Sequence, residues 1–454
     1  MRLLPYAADR VSRSNRKFEP GCRRTARLGQ DAVQPAQATS AAYAAFSPPL
    51  FYADKPGEAK CSHCFIGGNF WDLRATGLRL QSPTAMQAEG SPLNPTEMAN
   101  PDPACVVRRM SERPYKGLFE SVWGPRAFEV AWPDDVDVLC SRPNDNPASS
   151  IGSEVPGPNT TPLVVKLGPA DRERVQSTFD QMGEAIAAYE ASSEVSPFSS
   201  KFDAYLAGKV ELSEAERRGH DLYNGQAKCL NCHVDPKGEH HPLFTDNTTS
   251  NLGVPRNPDL AFYRETQPDA FGYVPNPQGD AFVDKGFGNF LRSPENANEA
   301  WKQLAPRFDG RFRVATVRNV DKRPRPEFVK AYMHNGYFKS LKEVVHFTIP
   351  GTPCRDAKRG RRERRCPAGL LRRTRPTSTR TAVISVSATI KRTMSSHFSR
   401  PSRMGTQHPL VRRLRRRYLL RQETISPILA GSAVPYVGSR SFALAAVSAF
   451  LGHN

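Results

Sequence analysis

A mostly α-helical body with long loops, followed by a basic tail expected to be disordered, is what this sequence predicts. Three observations lead there. Apolar residues recur at three- and four-residue steps in segments that open on helix-start signals. Strand-like alternation is sparse through residues 41–347. Forty prolines in 454 residues require much of the remainder to be loop.

Residues 1–40 are rich in Arg, Ala and Gln, lack periodicity and are read as irregular. Order is expected to begin near Ser40-Ala41-Ala42-Tyr43-Ala44-Ala45-Phe46. Pro101 to Gly124 reads as two short helices, with Val106, Val107 and Met110 followed by Leu118, Phe119 and Val122. Residues 141–160, made of Ser, Pro, Asn and Gly, form a linker or long loop. A stronger helix spans about Pro169 to Ala191 and aligns Val175, Phe179, Met182, Ile186 and Tyr189 on one face. Ser213 and Glu216 make a capping box for a helix that delivers the chain to Cys229. Ser340 and Glu343 do the same for a helix through Leu341, Val344, Val345 and Phe347.

The net charge of +19 suggests nucleic acid until it is divided by position. Residues 348–454 hold 22 Lys+Arg against 3 Asp+Glu, whereas residues 1–347 hold 42 of each. The basicity therefore belongs to the tail and not to the body, and Tyr418 stands nearly alone as an aromatic residue among the Arg blocks. A nucleic-acid binder is thus the remote reading. No apolar run reaches the roughly 20 residues of a membrane span. Nine cysteines are too few for a disulfide-built scaffold in so long a chain.

Cys229-Leu230-Asn231-Cys232-His233 is the most specific chemical signal. Two thiols at this spacing can form thioether bonds to the vinyl groups of one haem c, which places the next His beneath the iron as proximal ligand. A redox dithiol or half of a zinc site is the plainer reading of the same five residues. Cys61-Ser62-His63-Cys64 lacks a following His, since Phe65 stands there. It reads first as a hairpin or loop disulfide; a tethered haem, or zinc with His63 as third ligand, are its alternatives. Trp71 follows Gly67-Gly68-Asn69-Phe70 and in isolation reads as core. Glu97 reads as a solvated or capping residue of a Pro-bounded loop, ten residues after Gln87; beside a five-coordinate haem it could move a proton between peroxide oxygens. Met333 and His334 read first as packing and structural residues and second as iron neighbours, and His240-His241 as solvated.

In order along the chain, Tyr43-Ala44-Ala45-Phe46-Ser47-Pro48-Pro49, Gly67 to Asp72, Gln87 to Met98, Ser199 to Gly208, Leu212 to His233, Phe244-Thr245-Asp246-Asn247, Asn251 to Pro255, and Val314 to Val320 through Tyr332 to Phe347 resemble the bacterial di-haem cytochrome c peroxidases, including their MauG-like branch. The resemblance covers about residues 41–347. It implies two cytochrome-c-like helical haem domains facing one another: a remnant N-terminal, peroxide-reactive domain at 41–165 and a C-terminal haem c domain at 166–347, flanked by the irregular 1–40 and the Arg-rich 348–454. Cys229, Cys232 and His233 match the attachment site and proximal ligand of the electron-accepting haem. Trp71 matches the tryptophan between the haems, Glu97 the acid–base of the peroxide pocket and Gln87 its polar neighbour. The Ala331 region resembles the stretch whose carbonyls help hold calcium. The implied reaction reduces hydrogen peroxide with electrons from a small donor protein, a cytochrome c or cupredoxin, in the periplasm.

The sequence departs from that pattern twice. The family carries another Cys-x-x-Cys-His ahead of the Tyr43 segment, and residues 1–60 contain none; Met1 to Tyr6 likewise offers no secretory apolar run. Either the true start lies upstream, or the chain stays in the cytoplasm without haem. After Phe347 the family continues with something like Tyr-Asn-Thr-Arg-Asp-Ala, whose first residue is the distal ligand of the C-terminal haem. Here Thr348-Ile349-Pro350-Gly351-Thr352-Pro353 stands instead. Codons TAY-AAY-ACN-CGN-GAY-GCN read one base later become AYA-AYA-CNC-GNG-AYG-CN, which can encode those six residues. We read residues 348–454 as out-of-frame translation, and the remaining iron as five-coordinate or ligated by Met333. A single-haem electron-transfer protein without peroxide turnover is the alternative function. Sequencing the DNA across codons 345–353 is expected to find one base lost or gained; an intact frame there overturns this reading.

Overall fold

A computed structural model describes residues 36–54, 61–144, 163–234, 241–268, 273–323 and 325–349. Most of the irregular N-terminal stretch, most of the 141–160 linker, His240 and almost all of the basic tail lie outside the described residues. Ten α-helices lie among them: α1 (Pro83–Leu93), α2 (Pro103–Ser111), α3 (Lys116–Trp123), α4 (Val136–Cys140), α5 (Pro169–Glu190), α6 (Lys201–Leu206), α7 (Glu214–Asn224), α8 (Phe287–Arg292), α9 (Glu299–Lys302) and α10 (Leu341–Thr348). Two small antiparallel pairs accompany them, β1 (Phe51–Ala53) with β2 (Cys64–Ile66) and β3 (Thr249–Ser250) with β4 (Phe312–Arg313). The mostly helical, loop-rich class predicted from periodicity is the one observed.

Helix starts follow their caps. Ser213 and Ser340 each accept a bond from the backbone N–H three residues on, with Glu216 and Glu343 completing the boxes. Sequence reading missed α1, because Gly90 and Pro92 break its apolar period. Its start signal was nevertheless present: Ser82 accepts from Ala85 N, and Pro83 occupies the first turn, where its missing N–H is harmless.

The largest apolar cluster gathers Val107, Met110, Phe119, Phe128 and Val136 with Val175, Phe179 and Met182 of α5. The boundary drawn at 166 therefore separates α5 from the core that its apolar face fills; the periodicity identified the face but could not say what it packs on. α1 crosses α5 so closely that a Cβ on Gly183 would lie 2.7 Å from Ala85 O. A disulfide between Cys105 and Cys140, both nearly fully buried, joins α2 to α4 inside this cluster. A second cluster seats Phe65 of β2 edge-on against Phe287, Trp301 and Phe308. It fastens the N-terminal hairpin to residues 287–308.

Closing a loop of this length restricts the unfolded chain by roughly 4 kcal/mol in the chain-entropy model. The double variant Cys105→Ala/Cys140→Ala is expected to lose about 2–4 kcal/mol of stability, read as a lowered denaturant midpoint with a steeper slope, since the unfolded chain without the cross-link exposes more surface.

Candidate functional site

The Cys229–His233 segment leaves α7 as a tight turn. Cys229–Asn231 forms one 3-10 turn, and His233 N donates to Cys229 O at 2.8 Å. Cys229 and Cys232 are free thiols, each half-buried. Burial pushes the Cys229 thiol up to about 11, and burial with Asp246 nearby raises Cys232. His233 is partly buried, and that burial holds its ring below the ordinary imidazole range and neutral. Its Nδ1 lies 3.0 Å from Phe244 O. That contact makes Nδ1 the protonated nitrogen and leaves Nε2 as the lone-pair donor a metal requires. Tyr223 caps the turn by donating to His233 O at 2.5 Å.

The strip that supplies Phe244 O is itself held by residues 314–318. Arg318 Nη1 donates to Pro242 O at 2.8 Å, Thr316 Oγ1 to Leu243 O at 2.6 Å, and Thr245 Oγ1 to Val314 O. Arg318 also pairs with Asp203 at 2.5 Å, both almost fully buried, and lies over the Tyr43 and Phe198 rings. Burial alone would raise the Asp203 carboxyl, but the Arg318 charge and bonds from Arg318 and Ser200 outweigh it and hold it below the usual range. His241 is exposed, as expected, while its Nδ1 lies 2.9 Å from Asp203 Oδ1 and its ring stacks on Phe198.

Trp71 is partly buried. Its indole N–H donates to Gln37 O at 2.8 Å, and its carbonyl accepts from Arg313 N at 2.8 Å. His334 meets it edge-on at 6.4 Å and stacks flat on Phe312 at 3.5 Å. Burial lowers the His334 pKa to about 4, so its imidazole is neutral. Met333 packs with the Tyr332, Phe338 and Leu341 cluster, in the company of Phe347. Thr348 is exposed, and its hydroxyl donates back to Val344 O and Val345 O of its own helix.

Gln87 lies on α1, and its Oε1 is buried without a hydrogen-bond partner. Glu97 sits in the turn after α1, whose shape Asn94 sets by accepting from Thr96 and from Glu97 N. Cys61 and Cys64 are joined in a disulfide, the first of the readings given for that pair. Neither thiol is therefore available to a haem or to zinc in this structure.

Three comparisons bear on these residues. The family model described as di-haem cytochrome c peroxidase matches residues 13–211, beginning upstream of the Tyr43 segment. The methylamine utilization protein MauG of Paracoccus denitrificans (strain Pd 1222) is 30% identical over 308 residues, which cover 67% of this chain and 57% of that protein. The chain belongs to the MauG-like di-haem cytochrome c peroxidase family. A further member, cytochrome-c peroxidase IdrP1 of Denitromonas iodatirespirans, is 29% identical over 181 residues, covering 37% of this chain and 40% of that one. The chain thus spans little more than half the length of the first of these relatives and less of the second. The diheme peroxidase BthA of Burkholderia thailandensis E264 shares the fold, with a TM-score of 0.50 at 21% identity, covering 80% of this chain and 73% of that one.

For this di-haem peroxidase family member, two free thiols and a neutral, oriented imidazole are the donors that haem c takes, so the C-terminal site fits the group. Sequence reasoning missed Glu89, a buried carboxyl on α1 whose Oε1 has no partner and which Arg79 links to Asp180. Burial raises its pKa from 4.5 to about 7, against the pull of Arg79. An acid held above its unfolded value contributes stability that is fully present below that value and is lost as pH rises through the folded one. The stability of Glu89→Gln relative to the parent is therefore expected to increase from about pH 5 to about pH 8, read as the difference in melting temperature.

Proposed function

We propose that this chain is a MauG-like haem c oxidoreductase that reduces hydrogen peroxide with electrons from a small redox protein. The observation that carries the proposal is His233: a neutral imidazole fixed through Nδ1 beside two free thiols, which is the donor set for a covalently held haem. In this reading Cys229 and Cys232 would hold the group through thioether bonds and His233 would supply the ligand to its iron. A haem c bound there supplies a centre that accepts and releases single electrons. Trp71, fixed at both its indole N–H and its carbonyl, is assigned the electron route. Gln87 and Glu97 are assigned the peroxide pocket, and the unpartnered buried Oε1 of Gln87 supports an occupant there. Glu97 would shift a proton from one peroxide oxygen to the other.

Disulfides and thioether attachment both belong outside the bacterial cytoplasm, and that supports the periplasm as the compartment. Among the described residues, no helix is long and apolar enough to cross a membrane.

A second reading, electron transfer through a single haem without peroxide turnover, is favoured by one observation. Cys229–His233 is the one Cys-x-x-Cys-His of the sequence, and the other Cys-x-x-Cys is closed as a disulfide.

Pyridine haemochrome analysis of the chain, made with an export signal and the haem-attachment machinery, is expected to give about one covalent haem per polypeptide. Peroxide-dependent oxidation of a reduced cytochrome c then separates the two readings. His233→Ala should keep the thioether bonds and change the optical spectrum; a variant with an unchanged spectrum overturns the assignment of His233.

A further inference from the structure

The β1–β2 hairpin carries a group that the proposed reaction does not use. Cys61 and Cys64 are bonded across only Ser62 and His63, and both intervening residues are exposed. The other disulfide of the described residues contrasts with it at every point. Cys105 and Cys140 are 0% and 5% exposed, sit inside the largest apolar cluster and close a loop of 35 residues.

In the chain-entropy model this short loop restricts the unfolded chain by roughly half as much as the 35-residue one, so the Cys61–Cys64 bond stabilises the fold less than the long-range one. Nor does the hairpin need it for anchorage. Phe65, the next residue, is fully buried against Phe287 and Phe308, and β2 stays paired with β1 from Phe51↔Ile66 to Ala53↔Cys64. Opening the bond therefore uncovers no core. Cys61 and Cys64 are themselves half-buried, against the nearly full burial of Cys105 and Cys140, and the more accessible disulfides with little to hold together are the readily reduced ones.

We propose that Cys61–Cys64 is a thiol–disulfide exchange site whose substrate is a dithiol. One thiolate of the dithiol attacks one of the two sulfurs, the Cys61–Cys64 bond breaks, and the released thiolate takes up a proton. The second thiolate of the dithiol then attacks the mixed disulfide and frees the remaining thiol. The dithiol is oxidised by two electrons and gives up two protons; Cys61 and Cys64 receive both. β2 ends at Ile66, and the chain continues through the loop residues Gly67 and Gly68 to Trp71, so the exchange takes place seven residues before the indole in the sequence.

The test uses the full chain with its haem. It is equilibrated with graded dithiothreitol, and in parallel with a thioredoxin-class protein dithiol, then alkylated, and the labelled cysteines are mapped by mass spectrometry. Cys61 and Cys64 are expected to become labelled at dithiol concentrations at least about tenfold below those that open Cys105–Cys140. Reduction of both disulfides together, or of Cys105–Cys140 first, overturns the proposal. Faster reduction by the protein dithiol at equal thiol concentration assigns the substrate as a protein and equal rates as a small dithiol; either supports the site. The Cys61→Ser/Cys64→Ser variant should keep its circular dichroism and lose only the early label. Labelling does not depend on peroxide turnover, so this proposal and the proposed function fail separately.

Discussion

Three hydrogen bonds between residues 242–245 and 314–318 set the conditions for everything around His233. They fix the carbonyl that selects the imidazole tautomer, and they do so from a segment some 80 residues downstream of the thiols. The buried Arg318 guanidinium is the hub, since it reaches Asp203, Pro242 O and two aromatic faces at once. A buried charge is tolerated only when its donors are satisfied, and most of Arg318 is. Asp203 in turn closes the Ser200 capping box of α6, so one ion pair links a helix start, the His233 strip and the Tyr43 segment.

This arrangement explains why such separated stretches of sequence carry the resemblance to one family. Phe244-Thr245 and Val314 to Arg318 look unrelated along the chain, yet they are two sides of one backbone clamp. Tyr43 joins them through its ring on Arg318, its backbone N–H to Ser196 Oγ and its hydroxyl to Pro197 O.

What was legible in the sequence was local. The capping boxes at Ser213 and Ser340, the apolar face of α5 and the Cys229–His233 spacing all depend on residues within one or two helical turns. What was not legible was pairwise and distant. Nothing in the spacing of nine cysteines says that Cys105 meets Cys140, and a residue such as Glu89 acquires its shifted proton affinity only when the fold buries it, against the pull of Arg79. α1 fell between these cases, because its start was written in Ser82-Pro83 while its period was broken by the Gly90 and Pro92 that its close packing tolerates. The packing of α5 on the core of residues 104–140 was hidden for the same reason: periodicity states that a helix has an apolar face, never which core will receive it.

Gln37 shows how far a single backbone unit can reach. Its carbonyl takes the Trp71 indole N–H while its own N–H goes to His334 O, so one residue spans the two aromatic groups. Anyone shortening this protein for expression or crystallisation would be tempted to begin at Tyr43, where the helical core takes over. A chain cut there would strand the indole N–H and loosen its ring against His334, altering the electronic surroundings of Trp71 without touching a residue near it in the sequence. The safe place to start such a chain is upstream of Gln37.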